Sequence, residues 1–257
     1  MFRVLEKVNG MKNMMIWMLA AFRLEEKAIE KALKTAIRKK WTANNKIEVK
    51  STGVGIKKSR IMLEKYLEAQ KPDMVLITGT AGAVNTKLKA GDVVFPDKVC
   101  LVDDTNKIQK ILDVQKFSGA GFFKRTGKCR RVYKAPILAT VKRTYHIEDK
   151  DMLRSMYSDI YAVDMESFSL TDVLIKNKIP FVLFRVISDP YNMKFPKDTF
   201  IDALFRLKGI KRIYVFLRHP VSAFRLIMIM PAMLTSLCVL KKCVEVFISS
   251  VLKSEAG

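Results

Sequence analysis

The chain of 257 residues is poor in the side chains that most often carry catalysis or cross-links: it has two histidines, His146 and His219, and four cysteines. Cys100, Cys129, Cys238 and Cys243 match neither a zinc-knuckle spacing nor a CxxC pair, so no metal site is expected, and nothing else in the sequence calls for a cofactor. So few imidazoles also disfavour Ser-His-Asp or Cys-His machinery, which leaves carboxylates as the expected carriers of any catalysis. The cysteines suit a reducing compartment, hence the cytoplasm. Acid is scarce too: 25 Asp and Glu face 47 Lys and Arg, a net charge of +22. Such a surface attracts polyanions, nucleic acid and acidic lipid headgroups alike. Apolar residues are abundant, 49% of the chain, which excludes a mainly disordered protein.

Met14 to Ala21 is an apolar run of strand length. Behind Lys7 and Lys12 it has the outline of a short signal peptide, but the repeat that follows favours a buried first strand, with residues 1–13 as an N-terminal extension. From Glu25 onward Ala28, Ile29, Ala32, Leu33, Ala36 and Ile37 recur at helical spacing. Ile47 to Val54 forms a second expected strand, and Ile61, Met62, Tyr66 and Leu67 mark another helix. Met74 to Ile77 and Val93 to Phe95 are short buried strands, whereas 103–133 has no clean period and is expected to be strands and loop around Gly119 to Gly121. A helix from Glu148 to Tyr157, a strand at Ile160 to Val163, a helix from Glu166 to Asn177 and a strand at Phe181 to Ile187 complete the pattern. Strands alternating with such helices imply right-handed crossovers and a mainly parallel sheet covered on both faces.

The last part of the chain differs in character. From Arg206 basic residues far outnumber acids, and the uncharged apolar stretch Leu226 to Leu240 is interrupted by Pro231 and short of a membrane span. Residues 209–257 therefore form an extension, either a pair of closing helices on the sheet or an interfacial element lying on an anionic membrane.

Three features face the carboxyl ends of strands, where open α/β sheets bind ligands. Gly79-Thr80-Ala81-Gly82 leaves room for a ligand, Asp164-Met165-Glu166 puts carboxylates at a strand-to-helix junction, and Ser188-Asp189 ends a strand. Gly53-Val54-Gly55 with Lys57 and Lys58 lacks the spacing of a P-loop and is expected to be a tight turn, with amides at the next helix start that can face an anion or a sugar oxygen.

These residues carry a resemblance. Thr78-Gly79-Thr80-Ala81-Gly82, Leu88 to Asp92, Ala162-Val163-Asp164-Met165-Glu166-Ser167 and Arg185-Val186-Ile187-Ser188-Asp189 resemble the purine nucleoside phosphorylase and nucleosidase superfamily, in its methylthioadenosine/S-adenosylhomocysteine nucleosidase branch, across residues 14–208. The wording Val-Asp-Met-Glu-Ser with Ser-Asp-Pro and a basic tail with Arg218-His219-Pro220 is closer still to the hopanoid-associated phosphorylase-like proteins, a branch thought to strip adenine from adenosylhopane. The resemblance implies a phosphorylase/hydrolase-like three-layer α/β/α fold with a central, mainly parallel mixed sheet, followed by a C-terminal helical extension. It implies cleavage of the N-glycosidic bond of a 5′-substituted adenine nucleoside. By it, Glu166 holds the ribose hydroxyls, Met165 packs on the sugar, Asp189 meets purine N7, and Glu25, with Glu26 one register away, serves as acid/base. Gly79, Thr80, Ala81, Gly82 and Ser188 line the site, and Tyr145 is the candidate for stacking on the purine. Phosphorylases of the superfamily place an arginine where this chain has Ile77, which favours water over phosphate as nucleophile unless Arg23, Lys57 or Arg185 supplies the charge. The alternatives are a methylthioadenosine/S-adenosylhomocysteine nucleosidase, a phosphate-dependent phosphorylase, or an inactive basic protein that kept the fold and binds membrane or nucleic acid. For the enzyme the expected partners are its nucleoside, an anionic membrane surface at the inner face of the membrane and a second copy in a homodimer, with no specific nucleic acid.

Overall fold

Alternation along the strands decides the layering. The computed structural model describes residues 13–42, 44–114, 131–193 and 217–249. In β1 (Met15–Ala20), Ile16, Met18 and Ala20 enter one core cluster while Trp17 and Leu19 enter another. β3 (Met74–Ile77) divides the same way, Met74 and Leu76 against Val75 and Ile77. Both faces of these strands are buried, so apolar side chains occupy both, which is why the run read as continuous. The first cluster is covered by α1 (Arg23–Arg38) through Ala28, Ile29, Ala32 and Ala36. The second is covered by α2 (Ile56–Ala69) through Leu63 and Leu67 and by α4 (Ser167–Lys176) through Phe168, Leu170, Val173 and Leu174. The sheet between them has the order β2-β1-β3-β9, all parallel, with β2 at Lys46–Ser51 and β9 at Phe181–Leu183. This is the three-layer α/β/α arrangement the resemblance implied.

Two chain segments continue beyond that sheet. β4 (Thr80–Ala83) follows β3 almost directly, and β10 (Arg185–Asp189) follows β9 after Phe184. Both join a second sheet of order β10-β4-β8-β7-β5-β6, built with β5 (Val93–Val102), β6 (Ile108–Asp113), β7 (Val132–Thr140) and β8 (Ile160–Asp164). Because β10 also pairs with β5, the strands β10-β4-β8-β7-β5 close into a ring, which removes their open edges. The closure was not expected. Gly79 to Gly82, expected at the end of a strand with room for a ligand, contributes Thr80 to Gly82 to a strand of its own, β4, and the expected strand Val93 to Phe95 runs on to Val102. Pro96, Asp97 and Lys98 interrupt the apolar pattern of β5 without interrupting its pairing with β7. The Gly119 to Gly121 patch lies outside the described residues.

α3 (Ile147–Met156) packs on the ring through Leu153, and its start is closed by reciprocal bonds between His146 and Asp149. Among the described residues of the C-terminal extension the chain forms one helix, α5 (Pro220–Phe247), which runs through Pro231 and is long and apolar enough to cross a membrane by length and composition. Its two halves have different surroundings. Leu240, Cys243, Val244, Val246 and Phe247 are buried in the first core cluster, while Val221, Phe224, Ile227, Met228 and Leu234 are exposed. Pro231 costs one backbone hydrogen bond on an exposed stretch, which a helix anchored at its other half tolerates.

Candidate active site

The strand ends of both sheets meet around a cavity of about 190 Å³. Glu25, in the first turn of α1, reaches it from behind β1 and is 1% exposed. Its Oε1 accepts from the Thr80 amide at 2.6 Å and the Thr80 hydroxyl at 3.0 Å, and its Oε2 accepts from the Ala21 amide at 3.1 Å. Gly79 makes this approach possible. It has φ +150°, and a Cβ there would lie 2.4 Å from Arg185 Nη1 and 2.7 Å from Glu25 Oε1. Gly79 thus stands behind the cavity rather than lining it, whereas Thr80, Ala81 and Gly82 line it.

Arg185 is the hub of the inner wall. It is 1% exposed, with Nη2 2.6 Å from Asp164 Oδ2 and 3.8 Å from Glu166 Oε2. Its Nη1 donates to the Thr78 carbonyl at 3.0 Å and its Nε to the Ser167 hydroxyl at 3.1 Å. Three carboxyls, Glu25, Asp164 and Glu166, therefore share one guanidinium, and they cannot all ionise at no cost. Burial raises Glu25 above the ordinary carboxyl range despite Arg185 and its three donors. Burial first, and then the charge of Asp164, push Glu166 up to about 8. The Gly53-Val54-Gly55 turn serves this carboxyl: the Gly55 amide, at the start of α2, donates to Glu166 Oε1 at 2.9 Å. Arg185, considered in the sequence as a phosphate ligand, is committed to the inner wall, and Arg23 and Lys57 are exposed and outside the cavity lining. Glu26 is also outside it, so of the two neighbouring acids Glu25 is the one at the site.

Asp189, Ser188, Gly82, Tyr145 and Met165 also line the cavity. A Cβ at Gly82 would meet Asp189 Oδ2 at 2.8 Å, so the glycine leaves the space this carboxyl occupies. Tyr145 is nearly buried, its hydroxyl bonded to Asn106 Oδ1 at 2.5 Å and the Arg143 guanidinium 5.4 Å from its ring centre. Asp189 is raised to about 6 by burial, against the pull of Lys150, whose Nζ donates to Oδ2 at 2.5 Å. Lys150 went unnoticed in the sequence. The available signal was its place on the inner face of α3, one turn before buried Leu153, where an apolar residue is the ordinary occupant. Phe22, Val54, Val141, Arg143 and Thr144 also line the cavity, and nothing in their local pattern marked them.

The fold agrees with what the comparisons show. The chain belongs to the phosphorylase superfamily, whose family model matches residues 18–210. Similar proteins include nucleosidases, and the chain is an enzyme of the nucleosidase or phosphorylase kind. The 5′-methylthioadenosine/S-adenosylhomocysteine nucleosidase of Buchnera aphidicola subsp. Acyrthosiphon pisum (strain Tuc7) is 28% identical over 162 residues, 58% of this chain and 69% of the relative. The same enzyme of Anoxybacillus flavithermus is 28% identical over 159 residues, 54% of this chain and 65% of the relative. Among solved structures, the Neisseria meningitidis 5′-methylthioadenosine/S-adenosylhomocysteine nucleosidase in complex with methylthio-immucillin-A superposes with TM-score 0.62 at 16% identity, covering 91% of this chain and 99% of that one. Futalosine hydrolase of Helicobacter pylori gives 0.61 at 18% identity, covering 90% and 97%.

Proposed function

We propose that this enzyme hydrolyses the N-glycosidic bond of an adenine nucleoside that carries a substituent at its 5′ carbon, and releases adenine. The observation that carries the reading is the convergence of Glu25, Glu166 and Asp189 on one cavity. Breaking the C1′–N9 bond leaves positive charge on the ribose and negative charge on the purine, so the two ends of the cavity have opposite tasks. At the purine end, protonated Asp189 donates to N7, and Tyr145 stacks on the ring. At the sugar end, Glu166 accepts from the 2′ and 3′ hydroxyls while Met165 packs on the sugar. Glu166, raised to about 8, holds its proton at neutral pH until two ribose hydroxyls donate to it and favour its ionised form. The carboxylate then opposes the developing charge on the sugar. Glu25, held between Thr80 and Ala21 and made more basic by burial, takes a proton from the attacking water. Water is favoured over phosphate because Ile77 is buried and apolar and Arg185 is already paired.

The 5′ group is proposed to be a lipid, as in adenosylhopane, with the exposed half of α5 docking the enzyme on an anionic bilayer. Support comes from charge and shape together. Phe224, Ile227 and Met228 are exposed, Arg218 precedes them and Arg225 lies among them, and the whole chain carries +22. Basic residues near an acidic surface contribute about 1 kcal/mol each, which adds to apolar insertion. Adenine release is to be measured on 5′-substituted adenosines with methylthio, homocysteinyl and lipid substituents, with and without phosphate. Hydrolysis without phosphate and preference for the lipid are expected; a strict phosphate requirement would remove water as nucleophile. Sedimentation with anionic liposomes at low salt, lost at high salt, is the expected binding result. A soluble dimer that ignores them would assign the apolar half-helix to a second copy instead.

A further inference from the structure

Lys150 is 0% exposed and, among the described residues, its ammonium bonds a single carboxyl, that of Asp189. A buried ion pair of this kind contributes little to stability, since an apolar side chain of similar volume fills the same space without the desolvation cost of two charges. Its value must be sought in what the ammonium does to its partner. We propose that Lys150 is the positioning residue that sets the acid strength of Asp189 and, by holding Oδ2, leaves Oδ1 to carry the transferable proton.

The geometry supports each part. Lys150 donates to Oδ2 and so keeps that oxygen an acceptor; Oδ1 is buried without a hydrogen-bond partner among the described residues, on a side chain that lines the cavity. When the carboxyl is protonated, the proton therefore sits on Oδ1. On cleavage it passes from Oδ1 to N7, the electron pair of the C1′–N9 bond stays on the purine, and the carboxylate that remains is paired with an ammonium that has kept all its protons. Nearby charge makes the acid stronger and the product carboxylate more stable, at the cost of a smaller protonated fraction near neutral pH. The other neighbours leave Lys150 as the controlling charge. β4 brings Gly82 against Oδ2 and β8 brings Val163 to the same corner, and neither titrates. Glu25, Asp164 and Glu166 gather on Arg185, and Tyr191, two residues on, gives its hydroxyl to Asp151 of α3 with Arg154 over its ring.

The inference rests on Asp189 being the acid of the proposed reaction, so its test has one arm without substrate. The Asp189 carboxyl is to be titrated by carbon NMR in the wild type and in Lys150→Met, its signal identified by its absence in Asp189→Asn. The midpoint is expected to rise by about one pH unit or more in Lys150→Met and to stay close to wild type in Lys150→Arg. In the second arm, the alkaline limb of kcat/KM should move up by the same amount in Lys150→Met, with kcat lowered about tenfold at acid pH and KM little changed. Lys150→Arg should keep the limb in place. An unmoved carboxyl titration in folded Lys150→Met overturns the proposal whatever the substrate. Undiminished adenine release by Asp189→Asn would instead overturn the reading of Asp189 as acid and leave the titration to decide what Lys150 does. Equal loss in both lysine variants with the limb in place would reduce Lys150 to packing.

Discussion

Asp189 and Glu166 are both buried carboxyls, yet they have different neighbours: an ammonium for Asp189, and for Glu166 a guanidinium shared with two other acids. On the proposed roles their removal should have different signatures. Asp189→Asn is nearly isosteric and cannot pass a proton to N7, so adenine release should fall on the order of 10²-fold or more with the thermal midpoint little changed, as read by assay and calorimetry. Near-normal turnover would take Asp189 out of the mechanism. Glu166→Gln acts through the sugar. A 2′-deoxy substrate should be strongly penalised in the wild type and much less in the mutant, and equal penalties would place Glu166 outside the ribose pocket. Both residues were legible in the sequence because Glu166 stands at a strand-to-helix junction and Asp189 ends a strand, each inside a recognisable motif. Lys150 was not, because a lysine on a short helix looks solvated until the helix is placed against Asp189.

At the scale of elements, the β3–β4 passage and α5 make the clearest demands. Gly79→Ala forces a side chain onto Arg185 and Glu25 at a positive φ, so a loss of about 1–3 kcal/mol is expected in denaturant unfolding, together with loss of activity. In α5, Leu240→Ala should cost about 2–5 kcal/mol because it empties a core position, while Ile227→Ser should leave unfolding unchanged and weaken liposome binding. If both substitutions behave alike, the division of the helix into a core half and an exposed half fails. The helices and the parallel sheet were readable because alternation and helical period are local. The second sheet was not, since its closure depends on β10 meeting β5 across more than eighty residues, and no local pattern encodes that pairing. Pro231 likewise read as a stop, because the buried second half that carries the helix through it is a tertiary fact.

For the molecule as a whole, the raised carboxyls tie stability to pH. Glu166 goes from 4.5 to about 8 and Asp189 from 3.8 to about 6 on folding, so between those limits the native state binds more protons than the unfolded chain. Their contribution is complete below the unfolded values and is lost as pH rises. Asp172, held down to about 2 by Lys176, Arg60 and Lys110 against burial, works oppositely, and its contribution is lost as pH falls through the acid range. The thermal midpoint should therefore be highest at about pH 5 and decline toward pH 8, with a shallower decline in Glu166→Gln. A flat profile would mean that Glu166 is ionised in the folded protein. The same inner carboxyls have a consequence for discrimination. The outside of this chain is cationic, but the three cations described at the cavity already have carboxyls: Arg185 has Asp164, Lys150 has Asp189, and Arg143, in the lining, has Asp149. A nucleotide is thus attracted from a distance but meets cations already matched on arrival, and adenosine 5′-monophosphate should compete poorly with an uncharged nucleoside. Cellular nucleotides should then leave turnover of that nucleoside unhindered.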